Sequence, residues 1–371
     1  MVKKLYHTLL LFCALLLLAS CAPSLGEEEE VLQNDEDSPV ETAVVPGQSL
    51  EEDTYRMISP YRVSEARGVI VTQVANRVDI DEIEEGLRRH STEVFDPDNF
   101  YFQEGRYISS DKVIGWIDEH NPNRDDNWDR KKHEDNPRIF SHVLEQNYLK
   151  LNDDKTVELA GISIGIALKS VYGFSVDGNN YTEDISMDEM LEKGNEVAEV
   201  IVEDLRGTEG LEDVPILISL YREEAQTSPV PGNFVTKTVV QGGSSSVGDW
   251  KSIDEDYVLF PSTEAQNNHV EDHEVFNSFG NAIAKFFPNY VGAIGEGFYV
   301  NDELEQLTIE IPIEFYGKAE VIGFTQFVYD EVQDIFDNYY DLEINITSSN
   351  KVESLIYRNA KEEQPTIHIY H

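Results

Sequence analysis

Four groups of residues have types and spacings that chemistry asks for. Leu18-Ala19-Ser20-Cys21 sets small residues before a cysteine, at the end of an apolar run from Leu9 to Leu18 that follows Lys3 and Lys4. This is a lipobox. The Cys21 thiol would receive a diacylglycerol, and cleavage ahead of it would leave that lipid as the anchor. The apolar run is too short to span a bilayer with normal flanks. Gly161-Ile162-Ser163-Ile164-Gly165 matches the G-x-S-x-G nucleophile elbow, which needs a sharp turn into a helix. Here the apolar alternation runs straight on to Leu168, so Ser163 reads as an outward strand residue. His269 and His273 are four apart, a helical metal spacing, but Val270 stands where a zincin has its Glu. Asn121, Asn123, Asp125, Asp126 and Asp129 resemble part of a calcium loop that lacks both its turn glycine and its final bidentate Glu. No catalytic residue, metal site or cofactor is assigned from these patterns.

The elements that position such residues follow from periodicity. Ile162, Ile164, Ile166 and Leu168 alternate, as do Leu307, Ile309, Ile311, Ile313 and Phe315, and period two marks half-buried strands. A helical pattern follows each: Met187, Met190, Leu191, Val197, Ala198, Ile201 and Leu205 in the first, Phe324, Val328, Val332, Ile335, Phe336 and Tyr339 in the second. Ser186 and Glu189 form a capping box at the start of the former. Both lead into further alternating strands at Ile216–Leu220 and Leu342–Ile346.

Upstream, Glu104-Gly105-Arg106-Tyr107-Ile108 reappears as Glu296-Gly297-Phe298-Tyr299-Val300. A helical stretch precedes each copy, through Ile80, Ile83 and Leu87 or through Val275, Phe276, Phe279, Ile283 and Phe286. Apolar strands open both halves at Val69-Ile70-Val71 and Val258-Leu259-Phe260. The expected fold is therefore α+β, with two related β-α-β-α-β repeats over residues 55–240 and 241–371. The first carries a surface insertion at about 109–156.

Composition sets the outer limits. The chain has 371 residues, with 72 acidic and 28 basic side chains, and a formal charge of -44. A polyanion without a basic stripe cannot displace the counterions of nucleic acid, so no nucleic-acid partner is expected. Both cysteines, Cys13 and Cys21, precede residue 22, which excludes thiolate catalysis and zinc–thiolate sites from a mature form beginning at Cys21. Residues 1–20 read as the signal peptide. Residues 21–54 read as the lipidated cysteine and a disordered acidic linker, since 22–54 hold eleven carboxylates and no Lys or Arg.

The folded region resembles the CamS family of sex-pheromone precursor lipoproteins from low-GC Gram-positive bacteria. The resemblance rests on Ser64-Glu65-Ala66-Arg67-Gly68-Val69, Phe95-Asp96-Pro97, Gln103-Glu104-Gly105, Asn136-Pro137 with Ser141–Gln146, and Val230-Pro231-Gly232-Asn233-Phe234. It implies a membrane-anchored lipoprotein on the extracytoplasmic face, and since the sequence supplies no catalytic constellation, the mature domain is expected to be non-enzymatic. It also implies a hydrophobic signalling heptapeptide cut from the signal sequence, here Ala14, Leu15, Leu16, Leu17, Leu18, Ala19 and Ser20. This segment has Leu at every central position, where the family's peptide mixes Ile and Phe.

The alternative reading is a module that binds an extracellular ligand or partner at the repeat interface or insertion, because function lies on what a scaffold does not repeat. Trp116, Trp128, His133 and His142 in the insertion, with Trp250 in the connector, are its candidate residues.

Overall fold

The structure, a computed structural model, describes residues 29–33, 41–46, 54–123, 127–287, 291–314, 317–349 and 351–370. Cys21 and the segment Ala14–Ser20 lie outside the described residues. The element order begins β1 (Glu29–Gln33), β2 (Glu41–Val45), β3 (Arg56–Met57), α1 (Glu65–Gln73), α2 (Arg77–Ser91), β4 (Tyr101–Glu104), α3 (Ser110–Glu119) and α4 (Arg130–Glu134). There follow β5 (Phe140–Leu151), β6 (Thr156–Lys169), β7 (Val171–Val176), β8 (Asn179–Asp184), α5 (Met187–Arg206), β9 (Ile216–Glu223), β10 (Asn233–Val240) and β11 (Lys251–Ser252). The rest of the chain gives β12 (Glu255–Phe260), α6 (Thr263–Asn268), α7 (Val270–Phe286), β13 (Ile294–Val300), β14 (Glu303–Ile313), α8 (Lys318–Ile335), β15 (Asp341–Ser348), β16 (Lys351–Arg358) and β17 (Thr366–Ile369).

Two sheets organise these elements into a mixed α+β fold. The first runs β11-β10-β9-β6-β5-β4-β3, and the second β12-β13-β14-β15-β16-β17. In each, a parallel pair is bridged by a single helix, β6 and β9 by α5 and β14 and β15 by α8, and in the first sheet β3 also pairs in parallel with β4 across α1 and α2. Antiparallel strands flank the α5 and α8 pairs, β5 and β10 in the first sheet and β13 and β16 in the second. The α5 crossover forms because Ser186 and Glu189 cap each other's backbone N–H. Met190, Val197, Ala198, Ile201 and Leu205 then fall on one buried face. Gly194 lets that face close on the sheet, since a Cβ there would lie 2.5 Å from Leu220 Cδ1.

The first sheet is covered on both sides. The α5 face and α3 enclose Ile162, Ile164, Ile166, Ile216 and Ile218, while Ile70 of α1 and Ile83 and Leu87 of α2 pack on Leu144, Ala167, Tyr221 and Phe234. The second sheet is covered on one side, by Phe276, Phe279 and Ile283 of α7 and Phe324, Val328 and Val332 of α8. Each such aliphatic or aromatic side chain contributes roughly 1.5–3 kcal/mol through burial.

The structure departs from the sequence reading in four places. Val69-Ile70-Val71 is helical, not a strand: Ser64 caps α1 by accepting from Arg67 N, and only Ile70 of the three is fully buried. Residues 109–156 are not a surface insertion, because β5 pairs with both β4 and β6 and is buried from Phe140 through Leu149. The two Glu-Gly-x-Tyr motifs consequently differ in place. Glu104 closes β4, which β5 separates from β6, whereas Glu296 lies within β13 directly beside β14.

Within the segment read as a disordered linker, β1 and β2 pair antiparallel, and β1 adds in parallel to the start of β6. Val31 and Ala43 are nearly fully buried there against Ile58, Tyr101, Leu149 and Val157, enough apolar contact to hold ten residues. Finally, Ser163 does not face outward. It is fully buried, with its hydroxyl 2.7 Å from that of Ser91 on α2.

Candidate functional site

The hairpin β7–β8 stands apart from both sheets and carries an aromatic surface. Its turn is Asp177-Gly178, with φ of 52° and 78°, the left-handed pair that a two-residue hairpin loop requires. Strand alternation sends Tyr172 and Phe174 to one face, and Tyr181 of β8 lies opposite Phe174 in register. Phe174 stacks on Tyr172 and Tyr181 at centroid distances of 5.4 and 5.7 Å.

The short helix α4 closes on that surface. Asp129 caps it by accepting from Lys132 N at 2.8 Å, which sets Trp128 just before the first turn and His133 within it. The His133 ring stacks on Phe174 at 4.7 Å with planes 12° apart, and its Nδ1 lies 3.0 Å from the Tyr172 hydroxyl. Trp128 meets His133 edge-on at 5.2 Å. Lys132 Nζ lies 5.6 Å from the Trp128 ring centre and the Arg130 guanidinium 4.8 Å from that of Tyr181, within cation–π range. Between α4 and β7 lies an open cavity of about 590 Å³, with Trp128, His133, Tyr172 and Phe174 as its ring wall and Asn127, Asp129, Ser175 and Asp177 as polar lining. Rings beside hydrogen-bonding groups suit a bound ligand.

Of the residues singled out in the sequence, Trp128 and His133 thus meet in one site. Trp116 is elsewhere, buried in the main core of the first sheet. Trp250 packs against that core's edge and donates its indole N–H to Asn195 at 2.9 Å. His142 lies on β5 with no exposure. Burial alone holds its imidazole down to about 3, a neutral core histidine. Tyr172, Phe174 and Tyr181 were missed in the sequence, although the Asp-Gly dipeptide behind an alternating aromatic run is a hairpin signal.

Two other cavities are lined differently. One of about 470 Å³ contains Lys237, whose ammonium is held by Glu93 at 2.8 Å and His90 Nδ1 at 3.1 Å. Another, of about 230 Å³, lies between α2 and the second sheet, where Asp81, Glu82, Glu85 and Glu296 surround the rings of Tyr257 and Phe298. The carboxyls raised most by burial, Asp79 to about 6 and Glu223 to about 7, line none of these three cavities. Among the described residues no group of three His, Cys, Asp or Glu is placed to hold a metal ion, and no helix is long and apolar enough to cross a membrane.

The residues that carry the sequence resemblance work as structural pins. Ser64 caps α1, and Arg67 pairs with Glu84 at 2.7 Å. The Phe95 ring fills the space beside Gly161, where a Cβ would come within 2.1 Å of it. Glu145 of the Ser141–Gln146 run accepts backbone N–H bonds from the turn after Gly105. Gly232 N donates to Asp79 at 2.7 Å.

The fold and its site define a two-sheet α+β protein with an aromatic hairpin whose Tyr172 packs into the core of the first sheet. The family model for the CamS sex pheromone cAM373 precursor matches residues 61–364, and the chain belongs to that family. A sex pheromone precursor from Lactobacillus salivarius subsp. salivarius UCC118 superposes with a TM-score of 0.82 at 26% identity, over 89% of this chain and 99% of the other. The C-terminal domain of the sex pheromone staph-cAM373 precursor from Staphylococcus aureus gives 0.68 at 25% identity, over 80% of this chain and 98% of that one. No curated protein matches the chain.

Proposed function

We propose that the chain is a lipid-anchored extracytoplasmic protein whose leader yields a short apolar signalling peptide and whose body binds rather than catalyses. The observation that carries this is Leu18-Ala19-Ser20-Cys21, small residues and a cysteine closing an apolar run of bilayer-insufficient length. Family membership supports it, since the related solved proteins are described as sex pheromone precursors. The released peptide would be Ala14–Ser20. Diacylglycerol on Cys21 would be the membrane link, and no cofactor enters. Mass spectrometry of culture medium from cells making the protein tests the leader: free Ala14–Ser20 is expected. Longer or fully degraded fragments alone would contradict it.

For the body, the cavity beside Trp128 and His133 favours a binding module over an enzyme. Its rings can stack a ligand, while the carboxyls raised by burial lie away from it.

A further inference from the structure

The β7 strand is hydrogen-bonded on one side, to β8, through six residue pairs from Val171–Asp184 to Val176–Asn179. The aromatic cavity touches six consecutive residues, Tyr172 through Asp177, and no residue of β8. Alternation turns Tyr172, Phe174 and Val176 to one face and Gly173 and Ser175 to the other, and Asp177 follows in the turn. A cavity that meets both sets and avoids β8 lies along the second edge of β7, where alternate backbone N–H and C=O groups point. Among the described residues, no third strand joins this sheet. The usual blocks to strand addition are missing from β7 itself: Val171–Val176 contains no Pro, no Lys and no other charge.

We propose that this edge takes up an extended peptide as a third strand, with one side chain against the Trp128–His133 wall and positive charge facing Asp129 and Asp177. The charge follows from the lining. Asp129 and Asp177 are exposed carboxylates, and among the described residues no Lys or Arg lines the cavity. A formal charge of -44 on the whole chain enriches cations around it and repels acidic peptides. Backbone bonds along the edge supply affinity, and the ring wall and carboxylates supply selection. The inference rests on reading the body as a binding module and names the ligand class for that site.

The test is a titration of the full chain in detergent with the blocked peptide acetyl-Lys-Val-Thr-Val-Lys-Val-amide, read by amide hydrogen exchange. Slowed exchange within residues 172–177 is expected. Two N-methylated versions, blocked at odd or at even residues, separate backbone pairing from charge. One of them should bind about tenfold more weakly, since it loses the two or three hydrogen bonds of the paired edge. Asp177→Asn keeps a residue that tolerates the turn conformation and should weaken the parent peptide. Equal binding of all three peptides would mean charge attraction alone and would overturn the proposal. Protection by chitotetraose but not by the peptide would give the groove to a glycan, leaving the binding-module reading standing. Protection by neither probe would count against both.

Discussion

Glu145 holds the turn that follows Gly105: its carboxylate accepts from the backbone N–H of Arg106 at 2.9 Å, Tyr107 at 3.0 Å and Ile108 at 2.7 Å. Burial pushes this carboxyl up, and the backbone donors pull against that rise. The motif that recurs at Glu296-Gly297 is, in its first copy, a socket for a carboxylate arriving from β5. Glycine is needed there because a Cβ on residue 105 would lie 2.6 Å from both Cβ and O of Glu145.

Glu145→Gln turns an amide N–H₂ toward these donors and should cost about 2 kcal/mol, read from the urea midpoint. Gly105→Ala should cost a similar amount through overpacking, about 1–3 kcal/mol. An unchanged midpoint in both variants would contradict the socket.

Asp79 and Glu223 give a pH signature of known sign. Both carboxyls are nearly fully buried, and burial raises them from ordinary values near 4 to about 6 and about 7. The folded state therefore holds protons that the unfolded chain releases. The stabilisation they give is full below about pH 4 and is lost as pH rises to about 7, by roughly 3 kcal/mol per group before their mutual coupling. Asp79→Asn mimics the protonated form, so it should flatten this slope and leave the variant more stable than the parent at pH 8. Urea midpoints from pH 4 to 8 check this, and parallel profiles for parent and variant would contradict it.

Arg89 joins the two halves. From α2 it pairs with Glu82 at 2.7 Å and Glu255 at 3.1 Å, and its guanidinium sits 4.5 Å from the ring centre of Phe298 on β13. Tyr257 also donates to Glu82, at 2.5 Å. Removing the cation leaves two buried carboxylates facing one another. Discounted for the partial exposure of Arg89, the loss is about 2–3 kcal/mol. Arg89→Met should do no better than Arg89→Ala, because it restores bulk without charge. Calorimetry should then show the second sheet melting ahead of the first, and a single unshifted transition would contradict this.

Phe174 is the centre of the aromatic site, touching Tyr172, Tyr181 and His133. As it is only partly buried, Phe174→Ala should cost about 1–2 kcal/mol and red-shift Trp128 emission, with both main sheets intact by circular dichroism. Loss of the whole fold would contradict this.

The parts of the fold that were legible in the sequence are those with a clean apolar period; even β6, buried on both faces, alternates Ile162, Ile164 and Ile166 with Ser163, Gly165 and Ala167. The second sheet has one open face, so β14 alternates cleanly from Leu307 to Ile313, and α5 has a strict face between its capping box and Leu205. The β5 strand was not legible. Buried on both faces, it carries Ser141, His142, Glu145 and Gln146, whose polarity imitates a loop. Ser141 and Gln146 are satisfied by the carbonyls of Gln73 and Glu84, far away in sequence. Val69-Ile70-Val71 misled in the opposite sense, a β-branched run overruled by the Ser64 cap. At the site, Trp128 and His133 stood out as rare residues, while Tyr172 and Phe174 acquire meaning only once α4 folds over them.

The most direct test of the central claim is mass spectrometry of the N-terminal peptide from membrane-bound protein, with a Cys21→Ala variant beside it. The account predicts that the chain begins at Cys21 and bears a diacylglycerol, and that the variant is neither cleaved there nor lipidated. A membrane-bound chain that still begins at Met1, or an unmodified Cys21, would contradict it.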